Sequence, residues 1–218
     1  MNMNQHIDRL LQRRPELAEC RCGIEEMFEI MRGCFRGGGK LLLCGNGGSA
    51  ADAEHWAGEL LKGFALKRPL KPSEKCDLPP NLGLKLQGAL PVIPLTGFLS
   101  LGTAFANDVD PHLIFAQLVW GLGKPGDVLI GISTSGNARN VCAAMETAKA
   151  RKIHRLGLSG RTGGSLNSLC DLCLKVPADD TYLIQELHLP VYHCLSLMLE
   201  DEFFGPNSET VIGDDADR

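Results

Sequence analysis

The chain has 218 residues, a formal net charge of −4 and 44% hydrophobic residues. This length suits one α/β domain with a sizeable core, and the apolar content excludes a disordered chain. The acidic balance speaks against a nucleic-acid binder held by phosphate attraction, and no apolar run approaches the roughly 20 residues that span a bilayer.

The start of the chain, Met1 to Arg14, is polar and lacks the apolar core of a signal peptide, which predicts a cytoplasmic protein. A helical region covers about residues 4–35, broken or restarted near Pro15. Within it Leu17, Ile24, Met27, Phe28 and Met31 recur near helical spacing. Gly37-Gly38-Gly39 ends it. A strand over 40–44 then leads through a glycine-rich turn into a helix over 49–62. Residues 63–90 carry Pro69, Pro72, Pro79, Pro80 and Gly83 and read as a polar loop. A loop of this length is either a lid or interface segment or a surface insertion. Further strands are predicted at 92–96, 127–132, 155–159 and 172–176, with helices at 98–106, 111–122, 137–150, 165–170 and 181–203. The chain thus divides into an N-terminal helical region (1–36), a main domain (37–205) and an acidic tail (206–218) expected to be disordered. No internal repeat is present. Strands alternating with helices predict a parallel sheet covered on both faces, with ligands beyond the strand C-termini.

Chemistry concentrates after two of these strands. Gly45-Asn46-Gly47-Gly48-Ser49 opens a helix, where glycines admit a ligand to the backbone and free N–H groups favour an anion. Ser133, Thr134 and Ser135 place three hydroxyls before another helix and suit a phosphate, although one alone would serve as an ordinary cap. Neither loop has the Walker or dinucleotide pattern, so a sugar phosphate is preferred to a nucleotide. His55 and Glu59, four apart, share one helix face beyond the first loop. In the last helix Gln185 and His193 are eight apart, about 80° around the axis. Pro190 lies between them and predicts a kink; His188 and Glu186 compete for the same role. Most of the nine cysteines, such as Cys44 and Cys194, sit in apolar contexts and read as buried free thiols. A four-thiolate zinc site from Cys20, Cys22, Cys170 and Cys173 has unfavourable spacing.

These pieces together resemble the sugar-isomerase (SIS) domain family, and within it the bacterial phosphoheptose isomerases. The matching residues are 44–55, Glu59, Asn107-Asp108, 126–137, Gln185-Glu186 and His193. The resemblance implies a flavodoxin-like three-layer αβα sandwich with a five-stranded parallel sheet. It implies a homotetramer with active sites at subunit interfaces. Asn46, Gly47, Gly48 and Ser49 would form the substrate loop, and Ser133, Thr134 and Ser135 would hold the phosphate. Asn107 and Asp108 would contact the sugar, together with Gln185. Glu59 and His193 match the acid–base pair. His55, Glu59, Gln185 and His193 match a zinc site. The implied reaction is aldose–ketose isomerisation of sedoheptulose 7-phosphate to D-glycero-D-manno-heptose 7-phosphate through an enediol. The alternatives are a non-catalytic SIS module that senses a sugar phosphate or binds a protein, and an isomerase of another phosphosugar. A subgroup of the family that has lost catalysis lacks the residues matching Glu59 and His193, and both are present here. The chain departs from the family pattern at Ala138, at Tyr182 and in the length of the loop after Glu59.

Overall fold

The protein was described from a computed structural model covering residues 3–206. Of the tail expected to be disordered, residues 207–218 lie outside the described residues. The chain begins with α1 (Met3–Arg13), a 3-10 turn (Pro15–Cys20) and α2 (Arg21–Arg36). It continues through β1 (Leu41–Gly45), α3 (Gly48–Leu61), α4 (Pro72–Lys75), α5 (Pro80–Gly83) and β2 (Val92–Pro94). Then follow α6 (Leu99–Asp108), α7 (Ile114–Leu122), β3 (Val128–Ile132) and α8 (Arg139–Ala150). The last elements are β4 (His154–Ser159), α9 (Leu166–Leu169), β5 (Leu172–Lys175) and α10 (Thr181–Phe204).

The strands form one five-stranded sheet in the order β2-β1-β3-β4-β5, with every pairing parallel. Side-chain alternation divides each strand between two cores. Leu41, Leu43, Val128, Ile130, Ile132, Leu156 and Leu158 face α1, α2, α3 and α10. Leu42, Cys44 and Leu129 face α7 and α8 on the other side. Burial on both faces explains why these strands read as unbroken apolar runs.

The chain leaves β1 for β2 on one side and returns to β3 on the other. Their adjacent C-terminal ends form the crevice where ligands bind in open α/β sheets. Asp127, which is buried, joins the opposite ends of β1 and β3. Its carboxylate accepts from the Lys40 backbone N–H at 3.0 Å, the Lys40 ammonium at 2.5 Å and the Lys124 N–H at 2.8 Å. The register of the two strands that carry the glycine and hydroxyl loops is thereby pinned from below.

One expectation changes. Residues 63–90 contain the one-turn helices α4 and α5 and an isolated antiparallel bridge, Pro69 to Gln87. The start of this segment is bonded into the core through Arg68. As expected, α10 runs from Thr181 to Phe204 as a single element with Pro190 inside it. No helix of the described residues is long and apolar enough to cross a membrane.

Candidate active site

The glycine loop begins where β1 ends. Gly47 has φ 53° and ψ −121°, a conformation L side chains rarely adopt, and it leads into α3 with no side-chain cap. The Ser49, Ala50 and Ala51 N–H groups bond the Asn46 and Gly47 carbonyls at 3.0, 3.0 and 3.1 Å, which leaves the Gly48 N–H at the head of α3 to meet an anion. Gly48 needs its missing side chain for a different reason: a Cβ there would collide with the Gln185 amide. The Asn46 amide exchanges two hydrogen bonds of 2.8 Å with Asn140, in the first turn of α8. Asn140 was not singled out from the sequence, and it ties the glycine loop to the helix that follows the hydroxyl loop.

In the hydroxyl loop Ser133 is buried, Thr134 half-buried and Ser135 exposed. Backbone bonds from Ser133 N–H to Leu158 at 3.0 Å and from Gly160 N–H to Thr134 at 3.0 Å fix its shape. The Ser135 hydroxyl accepts from the Asn137 N–H at 3.2 Å. Ala138 precedes α8 and supplies no cap. Two uncapped helix N-termini and a row of hydroxyls thus gather at the C-terminal edge of the sheet. Ser49 is buried beneath the first of them.

A second cluster lies farther along α3. Ligand atoms of His55, Glu59 and His193 all fall within 4.8 Å of one another. His55 Nε2 stands 3.1 Å from Glu59 Oε1, and the His55 and His193 rings meet edge-on at 5.1 Å. On the far side of His55, Nδ1 stands 2.9 Å from the Tyr192 hydroxyl, which donates to Asp52 Oδ1 at 3.3 Å. A phenol has one proton to give. With that proton directed to Asp52, His55 Nδ1 must donate to the Tyr192 oxygen. His55 Nε2 then confronts Glu59 with either a lone pair or an imidazolium N–H. A positive charge between them, proton or metal ion, satisfies this pairing.

Other features agree. Desolvation and the neighbouring His55 lower the His193 pKa, so the imidazole is neutral and its lone pair free. Its Nε2 is buried with no hydrogen-bond partner among the described residues. Two imidazoles and a carboxylate form an appropriate donor set for zinc, so the residues present fit that ion. Burial raises the Tyr192 and Asp52 pKa values, which keeps the phenol protonated.

Gln185 lies eight residues, about 12 Å of helix rise, before His193, with its amide against Gly48. Asn107 and Asp108 end α6; both are exposed and bonded to each other at 2.8 Å. His188 is fully buried and Glu186 exposed. Burial raises Cys20 and Cys173 to about 11 and Cys170 to about 12, which keeps these thiols protonated and unsuited to a thiolate metal site. Sequence reasoning missed Tyr192, Phe64, Arg68 and Glu200. For Tyr192 a partial signal existed: Asp52, His55 and Glu59 form one stripe on α3 that is half-buried at the two carboxylates, and half-buried carboxylates need polar partners.

The chain is similar to known proteins over most of its length. Two models described as the SIS domain match residues 5–77 and 99–198. The chain is 36% identical over 189 residues to the phosphoheptose isomerase of Akkermansia muciniphila, covering 87% of this chain and 90% of that one. It is 42% identical over 178 residues to phosphoheptose isomerase 2 of Campylobacter jejuni, covering 82% of this chain and 79% of that one. The solved structure of a phosphoheptose isomerase from Francisella tularensis matches with a TM-score of 0.74 at 31% identity, covering 91% of this chain and 96% of that one.

Proposed function

The chain belongs to the phosphoheptose isomerases of the SIS domain family, and we propose that it interconverts sedoheptulose 7-phosphate and D-glycero-D-manno-heptose 7-phosphate. The observation that carries this reading is the convergence of Glu59, on the helix that starts at the glycine loop, with His193 of α10. The phosphate docks on the Gly48 N–H, on the amides of α8 and on Ser133, Thr134 and Ser135. From Gly48 to His55 α3 rises about 10 Å, a span close to an extended seven-carbon chain with a terminal phosphate. The phosphate at one end thus sets the carbonyl end beside Glu59 and His193.

Glu59 takes a proton from C1 of the ketose, exchanges it with solvent during the life of the enediol and delivers a proton to C2, while His193 moves the hydroxyl proton from O1 to O2. The electron pair of the broken C–H bond forms the enediol double bond and then the new C–H bond, so no oxidant or reductant is needed. The division of labour follows the Glu-plus-His pattern described for triosephosphate isomerase. His55, Glu59 and His193 would hold a zinc ion, with Gln185 as the further ligand the family resemblance implies, and its contribution would be Lewis-acid polarisation of the carbonyl.

The reading includes a cytoplasmic homotetramer with sites at subunit interfaces. Support for the interface is α6, a ten-residue helix without a buried residue, which exposes Leu99 and Leu101 and is preceded by exposed Phe98. A helix this short needs packing to persist. A neighbouring copy would provide it and would bring Asn107 and Asp108 to a sugar. A turnover assay on sedoheptulose 7-phosphate tests the function. Glu59→Gln and His193→Ala should each lower kcat by at least about a hundredfold in folded protein. Near-normal turnover in both would refute the assignment.

A further inference from the structure

Glu200 and Arg68 form an ion pair whose side chains are 1% and 0% exposed, 2.7 Å apart. Glu200 belongs to α10, the helix of His193. Its carboxylate also accepts the N–H groups of Phe64, Ala65 and Leu66 at 2.8, 2.7 and 2.9 Å. The other two guanidinium nitrogens of Arg68 reach α3. Nη1 donates to the Leu60 carbonyl at 2.8 Å and Nη2 to the Glu59 carbonyl at 3.1 Å. These carbonyls lie in the last turn of α3, where the helix leaves its acceptors without internal partners. Arg68 therefore caps the helix that carries His55 and Glu59 and binds it to the helix that carries His193. The same segment makes a second contact: the Phe64 ring lies 5.2 Å from the His193 ring.

We propose that Arg68 and Glu200 are positioning residues that set the distance between Glu59 and His193. The proposal rests on the reading of those two as the acid–base pair. A stabilising ion pair could bond anywhere along either helix. This one bonds the backbone of Glu59 itself, and the peptide N–H of Phe64, whose ring lies tilted against His193, bonds the Glu200 carboxylate. Proton transfer between neighbouring carbons demands fixed geometry, and small misplacements are expensive in rate. Phosphate binding occurs at the other end of α3 and should be insensitive to the clasp.

Arg68→Lys is the primary test, with Arg68→Gln beside it. Lysine keeps the charge opposite Glu200, but a single ammonium cannot replace the planar fork that spans carboxylate and two carbonyls. The expected result is a kcat lower by roughly tenfold to a hundredfold with KM within about twofold of wild type. Combined with Glu59→Asp, the losses should be less than multiplicative, because both changes displace the same carboxylate. Zinc titration of the purified protein is the second readout, with affinity lower by about tenfold. If Arg68→Gln does not fold, Arg68→Lys decides alone. An Arg68→Lys protein with wild-type kcat and wild-type zinc affinity overturns the proposal, as do fully multiplicative losses with Glu59→Asp. A wild type that binds zinc but turns over no phosphoheptose, with zinc affinity still lowered by Arg68→Lys, would retire the reaction and keep the clasp.

Discussion

Tyr192 shows how one hydroxyl organises the catalytic cluster. It accepts from His55 Nδ1 and donates to Asp52, and its ring stacks on Trp56 with centroids 5.5 Å apart. The ring is locked by packing and the hydroxyl by two polar neighbours, so the His55 tautomer is set before any substrate arrives. Outer partners of this kind orient metal-binding histidines and raise their basicity. Tyr192→Phe keeps the packing and removes only the bridge. It should lower zinc affinity and kcat by about tenfold or more while the melting temperature changes little. Calorimetric zinc titration checks this, and an unchanged affinity would mean that His55 needs no such partner. Residues of this type resist detection in a sequence. Tyr192 lies among Val191, Cys194 and Leu195, and its neighbours mark it as core. Its partner Asp52 is 140 positions away in the chain.

At the scale of elements, α10 joins the sheet to the site. His188 on this helix is fully buried. Burial lowers its imidazole from 6.5 to about 4, and neither ring nitrogen has a hydrogen-bond partner among the described residues. The unfolded chain takes up this proton near pH 6.5, and the folded protein does so only near pH 4. Between those values the unfolded state binds more protons. The contribution of His188 to stability is therefore full above the unfolded pKa and falls as the pH drops through the window, by on the order of 3 kcal/mol. His188→Met should flatten the decline of melting temperature between pH 6.5 and pH 4, and an identical slope would assign the decline to other groups. The strands and most helices were legible because each strand is a short apolar run closed by glycine, serine or proline. The end of β2 was less so: pairing stops at Pro94 and a 3-10 turn takes over. Residues 63–90 were misread as wholly irregular because Arg68 meets Glu200 across 132 positions. Proline and glycine punctuation reports local breaks and carries no information about such a partner.

For the whole molecule, topology does most of the work. The strand order places the β1 and β3 loops side by side, and α3 and α10 carry Glu59 and His193, the proposed acid–base pair, on one face of the sheet. The crevice, both loops and the His55–Glu59 pair could be located from the sequence, since each follows a strand or shares a helix face. The part of the site expected from a neighbouring copy could not. Exposed Phe98, Leu99, Leu101 and Val109 around α6 supply the apolar surface for such contact. Leu101→Glu should shift the protein to smaller species on size-exclusion chromatography and reduce turnover with it. Unchanged size with this charge in place would assign α6 a different role. The most direct test of the central claim is isomerisation of sedoheptulose 7-phosphate in D2O, followed by NMR. The account predicts an aldoheptose phosphate carrying deuterium at C2, in wild type and not in Glu59→Gln. Product formed without deuterium would mean that the C1 hydrogen reaches C2 without meeting solvent, and deuterated product from Glu59→Gln would place the base elsewhere; either result contradicts the solvent-exchanging enediol chemistry assigned to Glu59.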